Sequence, residues 1–284
     1  MSDLRALDAG FDPAVVASID AQLRSVTSDY NATVLLAVES GSRAWGFPSP
    51  DSDYDCRFIY MRRHADYLSL YPPRDVIEFP SDKVLDVNGW DLGKALRLLL
   101  KGNAVVIEWL TSPIVYFGES DFRDDIRALA RQVTRPDAVA RHYLHLGERQ
   151  RRTYFSDKRN IALKKMFYAL RPAVALRWLR LHPGEAVAPM HFPTLVAESD
   201  LPLEVTATIE DVLARKAVTR ELGRGLLPPQ LGKLIDDEFV LGHELWGTGQ
   251  TLHRTADLNA TDALFRRWVL RDREPGEGRN LSAR

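Results

Sequence analysis

Two short apolar runs separated by a polar loop constrain this chain more than any other feature. Thr33 to Ser40 (TVLLAVES) has the length of a strand and stops at Gly41, and Tyr54 to Tyr60 (YDCRFIY) reads as the next strand. Between them lies GSRAWGFPSPDSD. Gly41 lets the chain turn tightly and bring its amide close to a ligand, and Gly46 keeps a second point of the loop free of side-chain bulk. Ser42 and Arg43 add a hydroxyl and a cation, and a helix beginning here would turn its free amides toward an anion such as phosphate. Eleven residues beyond Ser42, Asp53 and Asp55 stand at the start of the second strand, where positions i and i+2 share a face. Two carboxylates aimed at one point repel unless a cation lies between them. Their hard oxygens suit Mg²⁺ or Mn²⁺ shared with substrate phosphates. Neither a GS turn nor a DxD pair means much alone; in this order, between two strands, they describe phosphoryl chemistry.

The surroundings supply an α/β setting. Asp12-Pro13 caps a helix expected to run to about Ser25. Asp75 to Phe79 and Val84 to Trp90 read as further strands, followed by a helix capped by Asp91 and closed at Gly102. Within the last of these strands Asp86 stands among apolar neighbours and is the preferred third carboxylate. Asp91 is the rival, although helix capping already explains it.

Beyond about residue 125 the pattern turns helical. The expected architecture is α+β: a small mixed β-sheet domain over 1–125, an all-helical domain over 126–273 and a flexible tail over 274–284. No convincing strand is read in the second half. Residues 149–171 carry eight lysines and arginines against one acid, Asp157. On a helix from about Lys158, the apolar positions Leu163, Met166, Phe167, Leu170 and Val174 make one stripe. Lys164, Tyr168 and Arg171 make another, with Lys165 beside them. A solvated basic face explains such a stripe; set across a cleft from a metal–phosphate site, Lys165, Tyr168 and Arg171 become candidates for nucleotide binding. Arg149, Arg151 and Arg152 form a smaller patch suited to a nucleic-acid backbone. His142 and His145 lack a third ligand, Glu108 reads as a buried hydrogen-bonding residue, and Cys56, Trp90, Trp109 and Trp178 read as core.

GSRAWGF and SDYDCRFIY together resemble the polymerase-β-like nucleotidyltransferase superfamily, whose signature pairs GS with a downstream DxD. With NGWDLGKALRLLLKGN, EWLTSPIVY and KKMFYALRP, the chain is more narrowly similar to the RlaP (RNA-ligase-associated) group, over about residues 30–200. The resemblance implies that Gly41 and Ser42 hold the triphosphate of an NTP and that Asp53, Asp55 and Asp86 are catalytic metal ligands; Arg43, next in the turn, is a further nucleotide-binding candidate. It also supports a lysine and a tyrosine from the helical half as nucleotide contacts. The implied reaction is transfer of an NMP to an acceptor hydroxyl with release of pyrophosphate. RNA is the favoured acceptor.

A single cysteine excludes an internal disulfide framework, and no run approaches the ~20 apolar residues of a membrane span. With no signal-like start, the expectation is a cytoplasmic protein. Rival readings remain: a non-catalytic NTP sensor or antitoxin-like module, a nucleotide-sugar glycosyltransferase, which leaves the GS turn unexplained, and a dehalogenase-type phosphatase, which wants a Thr where Cys56 and Arg57 stand.

Overall fold

The computed structural model describes residues 3–81, 84–155, 161–219, 223–249 and 253–271. The first half runs β1 (Asp3–Ala6), α1 (Pro13–Tyr30), β2 (Ala32–Glu39), α2 (Gly41–Ala44), β3 (Tyr54–Arg62), α3 (His64–Tyr67), β4 (Val76–Glu78), β5 (Leu85–Asp91), α4 (Leu92–Leu100), α5 (Ala104–Thr111), β6 (Val115–Glu119) and α6 (Ser120–Val133). The second half runs α7 (Pro136–Tyr154), β7 (Ile161–Ala162), α8 (Leu163–Leu181), α9 (Phe192–Ala197), α10 (Leu203–Val218), β8 (Arg224–Gly225), α11 (Pro229–Trp246) and α12 (Thr255–Val269).

Local chemistry sets several of these bounds. Asp12 accepts a hydrogen bond from the Ala14 amide with Pro13 at the first helical position, so α1 starts as expected. It continues past Ser25 to Tyr30 because nothing stops it before Asn31, which adopts the left-handed conformation (φ 51°). Gly102 takes φ +70° just beyond α4.

The six-stranded sheet has the order β1-β6-β2-β3-β5-β4. Its one parallel pairing is β3 with β5, the others being antiparallel. Side-chain alternation then decides what each face sees. Along β3, Tyr54, Cys56, Phe58 and Tyr60 are buried with α1 residues Ile19, Leu23 and Val26, while Ile59 and Met61 join the larger core formed with the helices. Asp55 and Arg57 have the parity of Ile59, and Asp86 that of Trp90, so the charged start of each strand faces the helical half. That half shares the larger core with the sheet, and α12 returns to pack against α4 and α6. The expected boundary between residues 125 and 126 falls inside α6.

Among the described residues the second half contains one short β ribbon, β7 with β8, where no strand was expected; two residues on each side carry no readable periodicity. Residues 156–160, which include the expected helix start at Lys158, and the tail from 274 lie outside the described residues. Among the described residues no helix is long and apolar enough to cross a membrane.

Candidate active site

The turn after β2 and the acid on β3 form one structure. Gly41 has φ +60°, and a Cβ added there would lie 2.2 Å from Asp55 Oδ2, so only glycine lets the turn pass directly beneath that carboxylate. The Ser40 amide donates to the Asp55 carbonyl at 2.9 Å, tying the two strands at this point. Helix α2 is a single turn, too short for a substantial macrodipole, so what it offers an anion is its unpaired first amides. Ser42 Oγ donates to Ser52 Oγ (2.9 Å), and the Arg43 guanidinium donates to the carbonyls of Ser52 (2.6 Å) and Asp53 (3.1 Å) while lying 3.9 Å over the Tyr54 ring. Both side chains, expected to meet the nucleotide, here hold the loop that presents Asp53. Gly46 serves packing between the halves: with φ +83°, it leaves room for the His191 ring, which an added Cβ would strike at 2.3 Å.

Asp55 and Asp86 are direct neighbours across the parallel β3–β5 pair. Arg57 Nη2 lies between them, donating to Asp55 Oδ1 (2.9 Å) and to Asp86 Oδ2 (2.7 Å). Burial pushes the Asp55 carboxyl above its ordinary range; Arg57 opposes the shift, and the charges of Asp53 and Asp86 add to it. Asp53 stays exposed at the strand start. Asp91 is placed elsewhere: it pairs with Tyr60 in the β3–β5 register, five positions from Asp86. There it caps α4 through the Gly93 amide (2.8 Å) and accepts from the Tyr67 hydroxyl (2.7 Å).

Glu39 was not singled out from the sequence. It is fully buried at the end of β2, accepting from the Asp55 amide (3.0 Å) and the Tyr116 hydroxyl (2.6 Å). Burial raises its carboxyl to about 7. A glutamate closing an otherwise apolar strand was the available signal.

The helical half supplies the opposite wall. The Tyr168 hydroxyl is pushed above its ordinary range by burial and by the charges of Asp53 and Asp55, and the Tyr168 ring of α8 lies edge-on to Trp45, 6.2 Å between centroids. Lys165 Nζ lies 4.8 Å from the Tyr168 ring centroid and 5.1 Å from that of Tyr154. Lys216, another residue missed in the sequence, reaches from α10 to donate to the Phe47 carbonyl at 2.6 Å. Burial and the neighbouring Lys164 lower its ammonium to about 8, against the pull of Asp51 and Asp53. Its signal lay in the helix period: Val205, Ile209 and Val212 are buried on α10, and Lys216 takes the next place on their stripe.

Arg171 does not reach the cleft. It is buried, paired with Glu108, donating to the Met190 carbonyl (3.2 Å) and lying 5.0 Å over Trp45. The basic stripe on α8 therefore splits, with Lys164, Lys165 and Tyr168 half-buried and Arg171 turned into the core. Glu108 also accepts from Trp45 and Tyr143 (both 3.2 Å), matching its reading as a buried hydrogen-bonding residue. Arg151 pairs with Asp236, leaving Arg149 and Arg152 as the exposed members of that patch.

The donor set fits a divalent cation held partly by protein and partly by substrate. Asp53 and Asp55 stand two residues apart at the start of β3, and two carboxylates are what Mg²⁺ ordinarily takes from protein beside phosphate oxygens. Among the described residues no three His, Cys, Asp or Glu side chains close into a ready metal cage.

A glycine turn seated under one of two neighbouring acids, with the lysines of α8 in the helical half, suits phosphoryl chemistry. Residues 15–267 match RlaP, the RNA repair pathway DNA polymerase beta family, and the chain belongs to that family. It is 40% identical over 201 residues to the Bacillus subtilis (strain 168) protein named uncharacterized protein YcgL, covering 71% of this chain and 76% of that relative. A nucleotidyltransferase-like protein of Exiguobacterium sibiricum 255-15 is similar in structure over 92% of this chain and 81% of that one, at TM-score 0.31 and 11% identity.

Proposed function

We propose that the protein transfers a nucleoside monophosphate from an NTP to an acceptor hydroxyl, with an RNA end as the favoured acceptor. The observation that supports this reading is the seating of the Gly41 turn directly beneath the Asp55 carboxylate, two residues on from Asp53. The acceptor oxygen attacks the α-phosphorus in line, the bond to the β-phosphate oxygen breaks, and pyrophosphate leaves. The free amides of the Gly41 turn bind the outer phosphates from below, and Lys165 binds them from α8. Tyr168 offers an aromatic face and a hydroxyl to the nucleoside. Asp86, whose side chain is 38% exposed, accepts the proton of the attacking hydroxyl. Asp53 and Asp55 would hold Mg²⁺ or Mn²⁺, which supplies charge neutralisation at the phosphates when bound.

The test is transfer of label from each α-labelled NTP into separate pools of cellular RNA and of protein. Label in the RNA pool, absent with Asp53→Asn and Asp55→Asn, is the expected result. Wild-type activity in either variant sinks the assignment. Arg57 favours a second reading, a nucleotide-binding module without turnover, because it already neutralises Asp55 and Asp86. NTP binding without pyrophosphate release would select it.

A further inference from the structure

A single nitrogen of Arg57 touches both acids, and the guanidinium is fixed from the other side too. Nη1 donates to the Asp86 carbonyl (2.9 Å) and to the Cys56 carbonyl (3.1 Å). Four hydrogen bonds from one side chain, which is only 15% exposed, hold the charge at the centre of the pair. The acids are neighbours in the strand register, so the gap exists whichever cation fills it. A carboxylate pair spanned at 2.9 and 2.7 Å by an N–H donor can close on a metal ion at the shorter distances of coordination.

We propose that Arg57 is a built-in cation that takes the place of a divalent ion between Asp55 and Asp86. The free protein then binds one divalent ion, through Asp53 and Asp55, and Asp86 pairs with Arg57 rather than with a metal. This rests on the reading of Asp53 and Asp55 as a metal-holding pair. It adds what that reading leaves open: how many ions bind, and what fixes Asp86. The physical reason is charge. Asp53, Asp55 and Asp86 place three carboxylates at the paired starts of β3 and β5. A guanidinium, charged throughout the working pH range, neutralises part of that cluster without needing metal. A second ion between Asp55 and Asp86 would have to displace it.

Mn²⁺ binding to the full chain without nucleotide, followed by calorimetry and by the loss of the free-ion paramagnetic resonance signal, tests the proposal. Expected stoichiometry is one for wild type, one for Arg57→Lys and one for Asp86→Asn, with Asp86→Asn changing the dissociation constant by less than about threefold, an indirect effect below the usual outer-shell loss. Arg57→Gln opens the gap and raises the stoichiometry to two, and adding Asp86→Asn to it returns the value to one. Circular dichroism checks that each variant is folded. Two ions in the wild type, one in folded Arg57→Gln, or loss of binding in Asp86→Asn as complete as in Asp55→Asn each overturns the proposal. Should Arg57→Gln not fold, the Asp86→Asn arm decides alone. Two ions with intact label transfer remove this inference and leave the proposed function standing; no Mn²⁺ binding at all in the wild type removes the metal-holding pair and this inference with it.

Discussion

Arg57 and Arg171 both hold carboxylates, and their surroundings differ in a way that separates architecture from chemistry. Arg171 and Glu108 lie in the core with side chains 3% and 7% exposed, and Glu108 is further saturated by Trp45 and Tyr143. Around Arg57 the exposure rises outward, from 15% for the arginine to 22% for Asp55 and 38% for Asp86. The enclosed pair is shut away in the core, although Arg171 Nε has no hydrogen-bond partner there. It positions Trp45, and through it the loop between Gly41 and Asp53, against the helical half: the Phe192 amide donates to the Trp45 carbonyl (2.8 Å), and Phe47 stacks on Phe167 (4.6 Å between centroids). The open cluster carries oxygens that water or a ligand can reach. Removing a partner should therefore cost stability in the first and function in the second.

The largest effect belongs to the open cluster. Asp55→Asn should lower pyrophosphate release on the order of a thousandfold, the scale of a lost principal electrostatic contributor. Because the carboxyl is already disfavoured by burial, the melting temperature should stay within about 3 °C of wild type, roughly 1 kcal/mol for a chain of this size. Parallel assays and thermal melts check both halves of the statement. A drop in stability with unchanged turnover would erase the distinction between the two clusters.

Next comes the closed pair. Arg171→Met leaves Glu108 buried and unpaired, which should destabilise the fold by about 3–5 kcal/mol and lower the melting temperature by roughly 10 °C. Denaturant titration measures it directly. A loss below about 1 kcal/mol, the usual scale of an exposed pair, would show that Arg171 is not the enclosed charge described above.

Gly41→Ala sharpens the comparison by perturbing the open cluster without touching a charge. The left-handed φ costs an alanine about 1–2 kcal/mol. Its methyl group must also push aside Asp55 Oδ2, which a Cβ would approach to 2.2 Å. A carboxylate displaced by about 1 Å can cost roughly a hundredfold in rate, so activity should fall further than stability. Equal small losses in both would mean that the turn accommodates the methyl group without moving Asp55.

The contrast between these clusters also shows which parts of the molecule the sequence discloses. Local chemistry was legible: Asp12 and Asp91 cap their helices, and the parity of Asp55 and Asp86 follows from strand alternation. Strand β1, four residues beside β6, is too short to have a period, and its existence depends on a partner more than a hundred residues away. Glu39 and Lys216 were missed, and Arg171 was assigned to the cleft, for one shared reason. Helix period tells which stripe a residue occupies, but a cation in a stripe turns inward or outward according to partners supplied by other elements. Arg171 turns inward because α5 offers Glu108, and Lys216 does so because the loop before β3 offers the Phe47 carbonyl. Nothing within one helical turn of either residue encodes those partners.

The smallest effect expected is a pH dependence at Lys216. The folded ammonium loses its proton at about 8, whereas an exposed lysine keeps it to about 10.5. Between those values the unfolded chain binds more protons than the folded one, so this group makes stability rise with pH, by at most about 1.4 kcal/mol per unit. Below pH 8 both states are protonated and the contribution is flat. Lys216→Met removes the rise, and subtracting its denaturation profile from that of wild type over pH 7–10 isolates the term from the tyrosines that titrate above. An NTP bound beside Lys216, Lys164 and Arg43 would favour the charged ammonium and move the rise to higher pH. A flat difference profile would mean that Asp51 and Asp53 balance burial, and one that falls with pH that they outweigh it; either would place Lys216 with the enclosed charges rather than with the cleft.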